Sequence, residues 1–429
     1  MQQKFDAIVV GGGPAGCACS YRMAQSGLQV LLVERGKFAG AKNMWGGAFF
    51  GPTLNELIPD FWKEAPIERF IARQKLSFLS GEDCLSLEFA APRFSKPPYN
   101  GFIALRSRFD RWLAAKVEQA GGIVAAGLQA DDLLWDGGRV MGIRAGGDEL
   151  PADVVIACDG VNSLLAQKAK LRGELRPGEV KQGVKEVLEL PREVIEKRFG
   201  LAGEEGLAWQ FVGGFTRGVP GGAFIYTNRS SLSVGVVVAL KELMEKGIKA
   251  NDLLEDFKEH PAVAGLLGGG KLVEYSAHLI PVSGMEMVPK LYTDGFLVAG
   301  DAAAFVVGTG LILEGANFAV ASGVAAAETT IRAKERGDFS TRSLACYQKL
   351  LEESFILRDL RTYKKAPSFL NNPRIYTVYP ELACEVAGQV FTSDGRPRKR
   401  TWDLLRAAMK DRVSIWQLAS DLMRAKGAI

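Results

Sequence analysis

The sequence predicts an α/β chain in three parts: a nucleotide-binding domain on a parallel sheet, an antiparallel-sheet domain inserted into it, and a helical C-terminal extension. Three observations predict this. The N-terminus runs strand, glycine turn, helix, strand. From about Leu171 the pattern changes to short β-branched and aromatic runs divided by turn residues. Beyond Phe339 the strand signals stop and helical spacing takes over.

The first element is FDAIVV, residues 5–10, an apolar run short enough for a buried parallel strand. Gly11, Gly13 and Gly16 follow as G-x-G-x-x-G. The first glycine allows a tight turn, the second a close approach of backbone to a pyrophosphate, and the third helix-on-strand packing. The helix that follows begins with unpaired N–H groups and a positive dipole end, which together hold a diphosphate. Residues 28–33 form the second strand, and Glu34 stands where an acid meets a ribose hydroxyl. A glycine triplet alone is weak evidence. With its flanking strands, helix and acid it predicts an adenine dinucleotide site.

The stretch 104–128 reads as a helix, with Phe109, Leu113, Val117 and Ala120 at helical spacing, then a strand over 123–128. Ser107 or Asp110 is expected to cap that helix. Residues 133–145 form a hairpin turning at Asp136-Gly137-Gly138, and 154–158 a further buried strand ending at Asp159-Gly160. Strands of the inserted sheet are expected over 184–188, 207–212, 223–227 and 232–238, and a charged helix over 241–246. Gly221-Gly222 is either a plain hairpin turn or part of a site. The nucleotide domain then returns with a strand over 295–299, Gly300-Asp301, and a small-residue helix over 315–336. Near the end, Trp402, Leu405, Met409, Val413 and Trp416 are expected on one helical face. The three parts divide as 1–75, 100–170 and 290–340 for the nucleotide domain, 76–99 and 171–289 for the inserted domain, and 341–429 for the extension.

The 429 residues are 47% hydrophobic and 24% charged, a globular composition sufficient for two or three packed units. A net charge of +4 is modest, and no nucleic-acid partner is expected. The charge is uneven: residues 391–429 hold nine Lys/Arg against four Asp. This basic tail reads as a contact for an acidic partner or anionic lipid, or as a solvated helical face. Six cysteines form no CxxC or ferredoxin run, so no iron–sulfur cluster and no disulfide framework is expected, and a reducing cytoplasm fits. Two histidines without ligand spacing give no metal site. No targeting signal is read at the N-terminus. The most apolar later stretch, 302–313, is shorter than the roughly 20 residues that span a bilayer, so any membrane contact is expected to be peripheral, on the cytoplasmic face.

Three separated segments predict FAD as the dinucleotide. They are the opening fingerprint, Asp159-Gly160, and Gly300-Asp301 with the helix after it. A carboxylate at Asp301 can accept from a ribityl hydroxyl. The helix starting near Gly315 can aim its N-terminal dipole at the flavin pyrimidine. No second G-x-G-x-x-G separates Gly16 from Gly300, so no built-in NAD(P)H domain is read.

The order GGGPAG, ALRSRFDRWL, CDGVNS, GDAAAF resembles the flavoprotein hydroxylases and dehydrogenases with a glutathione-reductase-type Rossmann FAD domain. More narrowly, GAKNMWGG (40–47), GVKE (183–186), GGAFIYTN (221–228), LIPV (279–282), GDAAA (300–304) and EGANFAVASG (314–323) are similar to the electron transfer flavoprotein:quinone oxidoreductase family, nearest its FixC-type members. The resemblance runs from Phe5 to about residue 420. It departs from the mitochondrial-type members in lacking their C-terminal cysteine cluster.

The resemblance implies flavin-mediated electron transfer without an acid–base catalytic set. It implies that Gly11, Gly13, Pro14, Ala15 and Gly16 hold the FAD diphosphate, with Glu34 on the adenosine ribose and Arg35 and Leu128 in the adenine half. Arg106 would meet the diphosphate or ribityl region, and Gly300 and Asp301 the ribityl chain. Gly315, Ala316 and Asn317 would meet the pyrimidine edge, and Lys42, Asn43, Gly46 and Gly47 the other side of the ring. Asp159 and Gly160 either bind the diphosphate or shape its pocket from behind. The implied partners are a two-subunit electron transfer flavoprotein, a small ferredoxin-like [4Fe–4S] protein, a quinone, and a membrane surface, in an assembly that bifurcates electrons. Two other readings stay open on the sequence alone. One is a free-standing NAD(P)H-dependent FAD reductase or monooxygenase of the geranylgeranyl reductase type; the other is a flavin-binding subunit with no turnover of its own.

Overall fold

A computed structural model of the protein describes residues 4–42 and 47–429. The first strand, Phe5–Val10, lies between Val30–Glu34 and Asp148–Ala157, parallel to both, with Ile8 opposite Leu31 and Val155. Ile123–Ala126 and Phe296–Val298 extend this parallel sheet at either side. Ala7, Ile8, Val9, Leu32, Val155 and Ile156 are fully buried, which is why these strands read as continuous apolar runs. The second strand starts two residues later than expected and takes Glu34 as its last residue.

Asp148–Ala157 serves two pairings. Its first residues run antiparallel to Arg139–Ala145, and the rest run parallel to the first strand. The expected hairpin joins Ala130–Asp136 to Arg139–Ala145 through Gly137 and Gly138. Helix Pro14–Gln25 packs against Arg106–Gln119 and Ala316–Arg336. The second of these approaches is very close: a Cβ at Gly323 would stand 2.2 Å from the Ala15 carbonyl oxygen. The helix Arg106–Gln119 has no side-chain cap, contrary to expectation. Asp110 is buried, and its carboxylate turns to Arg106 four residues back.

The inserted domain is a nine-stranded sheet in the order Lys271–Pro281, Val180–Glu189, Ser231–Ala239, Gly221–Thr227, Glu205–Gly213, Ile67–Ser80, Gly101–Ala104, Ala48–Phe50, with Asp83–Ala90 paired to Ile67–Ser80. It departs from expectation in two ways. The sheet is mixed, because Glu205–Gly213 runs parallel to Ile67–Ser80. The boundary drawn at 75/76 falls inside one strand, and Ala48–Phe50 and Gly101–Ala104 also bond into this sheet. Ile67–Ser80 is continuous because it is paired on both sides, to Glu205–Gly213 and to Asp83–Ala90.

Alternation sets the two faces of this sheet. Trp209, Phe211, Ile225, Val234, Val236 and Val238 point to one side, into a core closed by helices Arg192–Phe199, Ala250–Glu259 and Pro261–Leu267. The opposite face looks toward the parallel-sheet domain.

The extension docks helix Val378–Phe391 on Ile67–Ser80, where the Cys384 thiol donates to the Phe78 carbonyl at 3.4 Å. Arg374 grips Asp421 with two bonds of 2.7 and 2.9 Å and so pins the last helix, Ile415–Lys426. The single face expected across residues 402–416 is broken. Helix Thr401–Met409 ends, Asp411 takes a left-handed φ of 64°, and the next helix starts at Ile415. Met409 and Val413 are buried, whereas Trp402 and Trp416 are exposed. Among the described residues no helix is long and apolar enough to cross a membrane.

Candidate functional site

The two domains enclose a cavity of about 440 Å³. One wall is the carboxyl end of the parallel sheet, where ligands of open α/β folds sit. The other is the free face of the inserted sheet.

The glycine turn forms the base of the first wall. Gly11 donates its N–H to the Val33 carbonyl at 2.8 Å, and a Cβ at Gly16 would lie 1.9 Å from the Gly11 carbonyl oxygen. Gly11, Gly13, Pro14 and Ala15 line the cavity, with Gly16 packed behind them. Pro14 and Ala15 open the helix, so its unpaired N–H groups point inward. Glu34 also lines the cavity, but its carboxylate already accepts from two backbone amides, Gly12 at 2.8 Å and Gly36 at 2.6 Å. It braces the turn as well as facing the cavity, a role that Gly12 gave no sign of in the sequence. Each carboxylate oxygen keeps a lone pair for a further donor.

Arg35, exposed, and Leu128, half-buried, line the adjoining part of the wall. Leu128 is fixed there by its N–H to the Glu34 carbonyl at 3.0 Å. Arg106 lines the cavity with its guanidinium held on Asp110 at 2.9 and 2.6 Å. Asp159 and Gly160 line it at the end of Asp148–Ala157. One Asp159 oxygen accepts from the Leu165 N–H at 3.1 Å, and burial pushes the carboxyl above its usual range.

Gly300 lies behind the wall, its N–H on the Ser322 hydroxyl at 3.0 Å, and Asp301 reaches into the cavity. Burial pushes the Asp301 carboxyl up, and the Arg106 charge pulls it back. Gly315, Ala316 and Asn317 bring the N-terminus of Ala316–Arg336 to the same place. Asn317 is buried and its amide donates to Glu314 at 2.8 Å, so its side chain is already engaged. Lys42 is exposed and outside the lining; a Cβ at Gly47 would stand 3.7 Å from the Tyr226 ring. Asn43 and Gly46 lie outside the described residues.

The second wall holds residues that sequence reasoning missed. Gln74, Gln210, Phe224, Tyr226, Lys181 and His278 all face the cavity. Gly222, left open between turn and site, is a strand residue lining it. Burial lowers Lys181 to about 8 and raises Tyr226 to about 12, so both keep their protons at neutral pH. Burial, reinforced by the Arg106 and Arg35 charges, lowers His278 to about 4. The unfolded chain takes up this proton near pH 6.5, the folded chain only near 4. His278 therefore costs no stability above pH 6.5 and progressively more as pH falls toward 4. Proton-resolved histidine NMR, assigned with a His278→Asn variant, should give a midpoint near 4 for this ring in the FAD-free chain. A midpoint of about 6.5, the value of a solvated imidazole, would place the ring in water instead.

This geometry suits a long ligand carrying a diphosphate near its middle and a polyol further along, with a planar group between the two walls. Residues 366–429 match the family model "ETF-QO/FixC family C-terminal domain", and residues 6–172 match "FAD dependent oxidoreductase". The chain is 42% identical to a probable electron transfer flavoprotein-quinone oxidoreductase, YdiS, of Escherichia coli, over 99% of each chain. It is 45% identical to protein FixC of the same organism over 91% of each, and 38% identical to FixC of Azorhizobium caulinodans over 93% of this chain and 92% of that one. Among solved structures, a geranylgeranyl bacteriochlorophyll reductase-like protein of Thermoplasma acidophilum shares the fold across 100% of both chains, with a TM-score of 0.75 at 19% identity. The flavin-dependent brominase Bmp2 shares it with a TM-score of 0.64 at 16% identity, over 95% of this chain and 99% of that one.

Proposed function

The chain belongs to the ETF-QO/FixC family and is an FAD-dependent electron-transfer oxidoreductase, and on that premise we propose that it takes electrons from a two-subunit electron transfer flavoprotein and delivers them to a quinone. One observation carries the reading: a single cavity joins an FAD-type cradle to the mainly apolar free face of the inserted sheet. An electron donor and a lipid-soluble acceptor can thus share one cofactor.

The residues fit FAD. The glycine turn leaves no room for a side chain where a diphosphate needs backbone contact. Among the described residues no hydrogen bond reaches the Asp301 carboxylate, which is what a site awaiting ribityl hydroxyls requires. Bound there, FAD supplies a carrier that accepts and releases electrons singly or in pairs. The protein's own part is binding and orientation. Gly11, Gly13, Pro14 and Ala15 hold the diphosphate, with Gly16 giving the close packing behind it. Glu34, Arg35 and Leu128 receive the adenosine half, and Arg106 adds positive charge between the two ends. Gly300 and Asp301 take the ribityl chain, while Asp159 and Gly160 close the diphosphate pocket. The helix N-terminus at Gly315, Ala316 and Asn317 stabilises negative charge on the pyrimidine side. Gly47, against the Tyr226 ring, flanks the flavin ring from the other side.

The cavity continues past Leu313, Leu370 and Tyr376, and Leu311 stands 65% exposed at its rim. With Ile415, Trp416, Leu422 and Met423 also exposed on the last helix, this side suits a peripheral membrane contact through which a quinone enters. Residues 391–400 are all exposed and carry Arg396, Arg398, Lys399 and Arg400. We place an acidic ferredoxin-like subunit there, within an assembly whose flavoprotein bifurcates electrons. Reversing Arg398, Lys399 and Arg400 to glutamate should abolish co-purification of that subunit while FAD content stays unchanged. Undiminished recovery removes the docking site.

The rival reading, a free-standing reductase of the geranylgeranyl type, predicts brisk NAD(P)H oxidation by the isolated chain. A relay subunit should show no NAD(P)H turnover until the flavoprotein partner is added.

A further inference from the structure

Arg172 is not among the residues lining the cavity, yet it ties together two turns that line it. Its Nη1 donates to the Val161 carbonyl at 2.9 Å and to the Ala302 carbonyl at 3.2 Å, 130 residues further along the chain. Val161 follows Asp159 and Gly160, and Ala302 follows Gly300 and Asp301. One nitrogen thus joins the turns that leave two neighbouring parallel strands, Asp148–Ala157 and Phe296–Val298. The same two turns pack on each other, since Val161 and Ala304 belong to one buried apolar cluster with Val180 and Met287.

The turns differ in how well they hold themselves. The first has several bonds of its own. Cys158 donates its N–H to the Val10 carbonyl at 2.8 Å, Ser163 to the Gly160 carbonyl at 3.0 Å, and Leu165 to the Asp159 carboxylate at 3.1 Å. The second, Gly300–Ala303, begins at a left-handed Gly300 with φ 66° and ends against a left-handed Ala304 with φ 58°. Alanine adopts that conformation at a cost and keeps it only where its surroundings impose it. The Ala304 N–H closes the turn on the Asp301 carbonyl at 2.9 Å, and the Ala302 carbonyl is met from outside the turn, by Arg172. The tie is not free of cost either. The Arg172 Nη2 is buried with no partner among the described residues. A buried cationic donor left unsatisfied lowers stability, so stability alone does not account for this side chain.

We propose that Arg172 is a positioning residue for the flavin half of FAD. It fixes the turn that carries Asp301 against the turn that carries Asp159 and Gly160, and so sets the spacing between the ribityl and diphosphate contacts. The proposal rests on the FAD-site reading and extends it to a residue behind the cavity wall.

The test uses the full chain, stripped of FAD and titrated separately with FAD and with ADP. ADP carries the adenosine and diphosphate but no ribityl chain. Arg172→Met keeps the bulk of the stem and removes the donors, while Arg172→Lys keeps a cation whose single nitrogen has three donors. Arg172→Met should bind FAD about tenfold more weakly, the effect of one misplaced hydrogen bond in a buried site, and ADP as tightly as the parent. Arg172→Lys should recover FAD binding. A merely structural role would lower both affinities together. Equal losses for FAD and ADP therefore overturn the proposal, as do unchanged FAD binding in Arg172→Met, no recovery in Arg172→Lys, or an Arg172→Met chain that does not fold. An Asp301→Ala chain that binds FAD as tightly as the parent overturns the FAD-site reading itself, whatever the Arg172 variants do.

Discussion

Asp301→Ala is expected to yield folded, colourless protein. Asp301 reaches the cavity from the end of Phe296–Val298, and no protein donor among the described residues satisfies its carboxylate. A buried carboxylate is stable only with donors around it, and a polyol chain supplies two or more. Each charge-assisted bond contributes about 1.5–3 kcal/mol, so losing two should weaken FAD binding by about 10²-fold or more. Among the described residues nothing structural leans on this side chain, so far-UV circular dichroism should match the FAD-free parent. The measurement is the flavin-to-protein absorbance ratio after purification, followed by titration with FAD. A variant that retains the full yellow spectrum refutes the assignment of Asp301.

Gly16→Ala should have the larger structural effect. The added Cβ would stand 1.9 Å from the Gly11 carbonyl oxygen, a backbone atom that cannot rotate away. Gly11 is itself fixed by its N–H on Val33 and by the Cys158 carbonyl beside it. The helix Pro14–Gln25 would have to retreat from the sheet, and it is wedged from behind by the contact of Ala15 with Gly323. A clash of this kind costs upwards of about 4 kcal/mol, a large part of a domain's total stability. Soluble yield should collapse, and any recovered protein should melt far below the parent and lack FAD. Gly173→Ala serves as the control: a Cβ there meets nothing within 4 Å among the described residues and its backbone is not left-handed, so its melting temperature should be that of the parent.

The stretch from Phe5 to Glu34 was readable because its information is local. Apolar runs, glycines and an acid at fixed offsets each act on neighbours a few residues away. The return at Gly300-Asp301 was readable for the same reason, as a strand end followed by a helix start. What could not be read depends on distant chain segments. By its spacing Glu34 reads as a ribose ligand, and its bonds to Gly12 and Gly36 appear only when the turn is closed. Alternation assigns Gln74, Gln210 and Tyr226 to one face of their strands. It does not say which face, because helices bury one side and the nucleotide domain buries the other. Nothing local in the sequence marks His278, because a histidine without ligand spacing has no local signature. The boundary at 75/76 failed because a fourteen-residue strand, Ile67–Ser80, is stabilised by partners on both sides that lie elsewhere in the chain. In the extension, helical spacing carried through residues 402–416, but the left-handed Asp411 divides that stretch.

The central claim is that this chain relays electrons from a flavoprotein to a quinone, and one stopped-flow experiment tests it most directly. The FAD-loaded chain is mixed with reduced electron transfer flavoprotein, with and without ubiquinone-1, while its flavin absorbance is followed. The account predicts rapid bleaching by the reduced partner and recovery of the oxidised spectrum only when the quinone is present. Flavin that stays oxidised with the reduced partner, yet bleaches at once with NADPH alone, would contradict it.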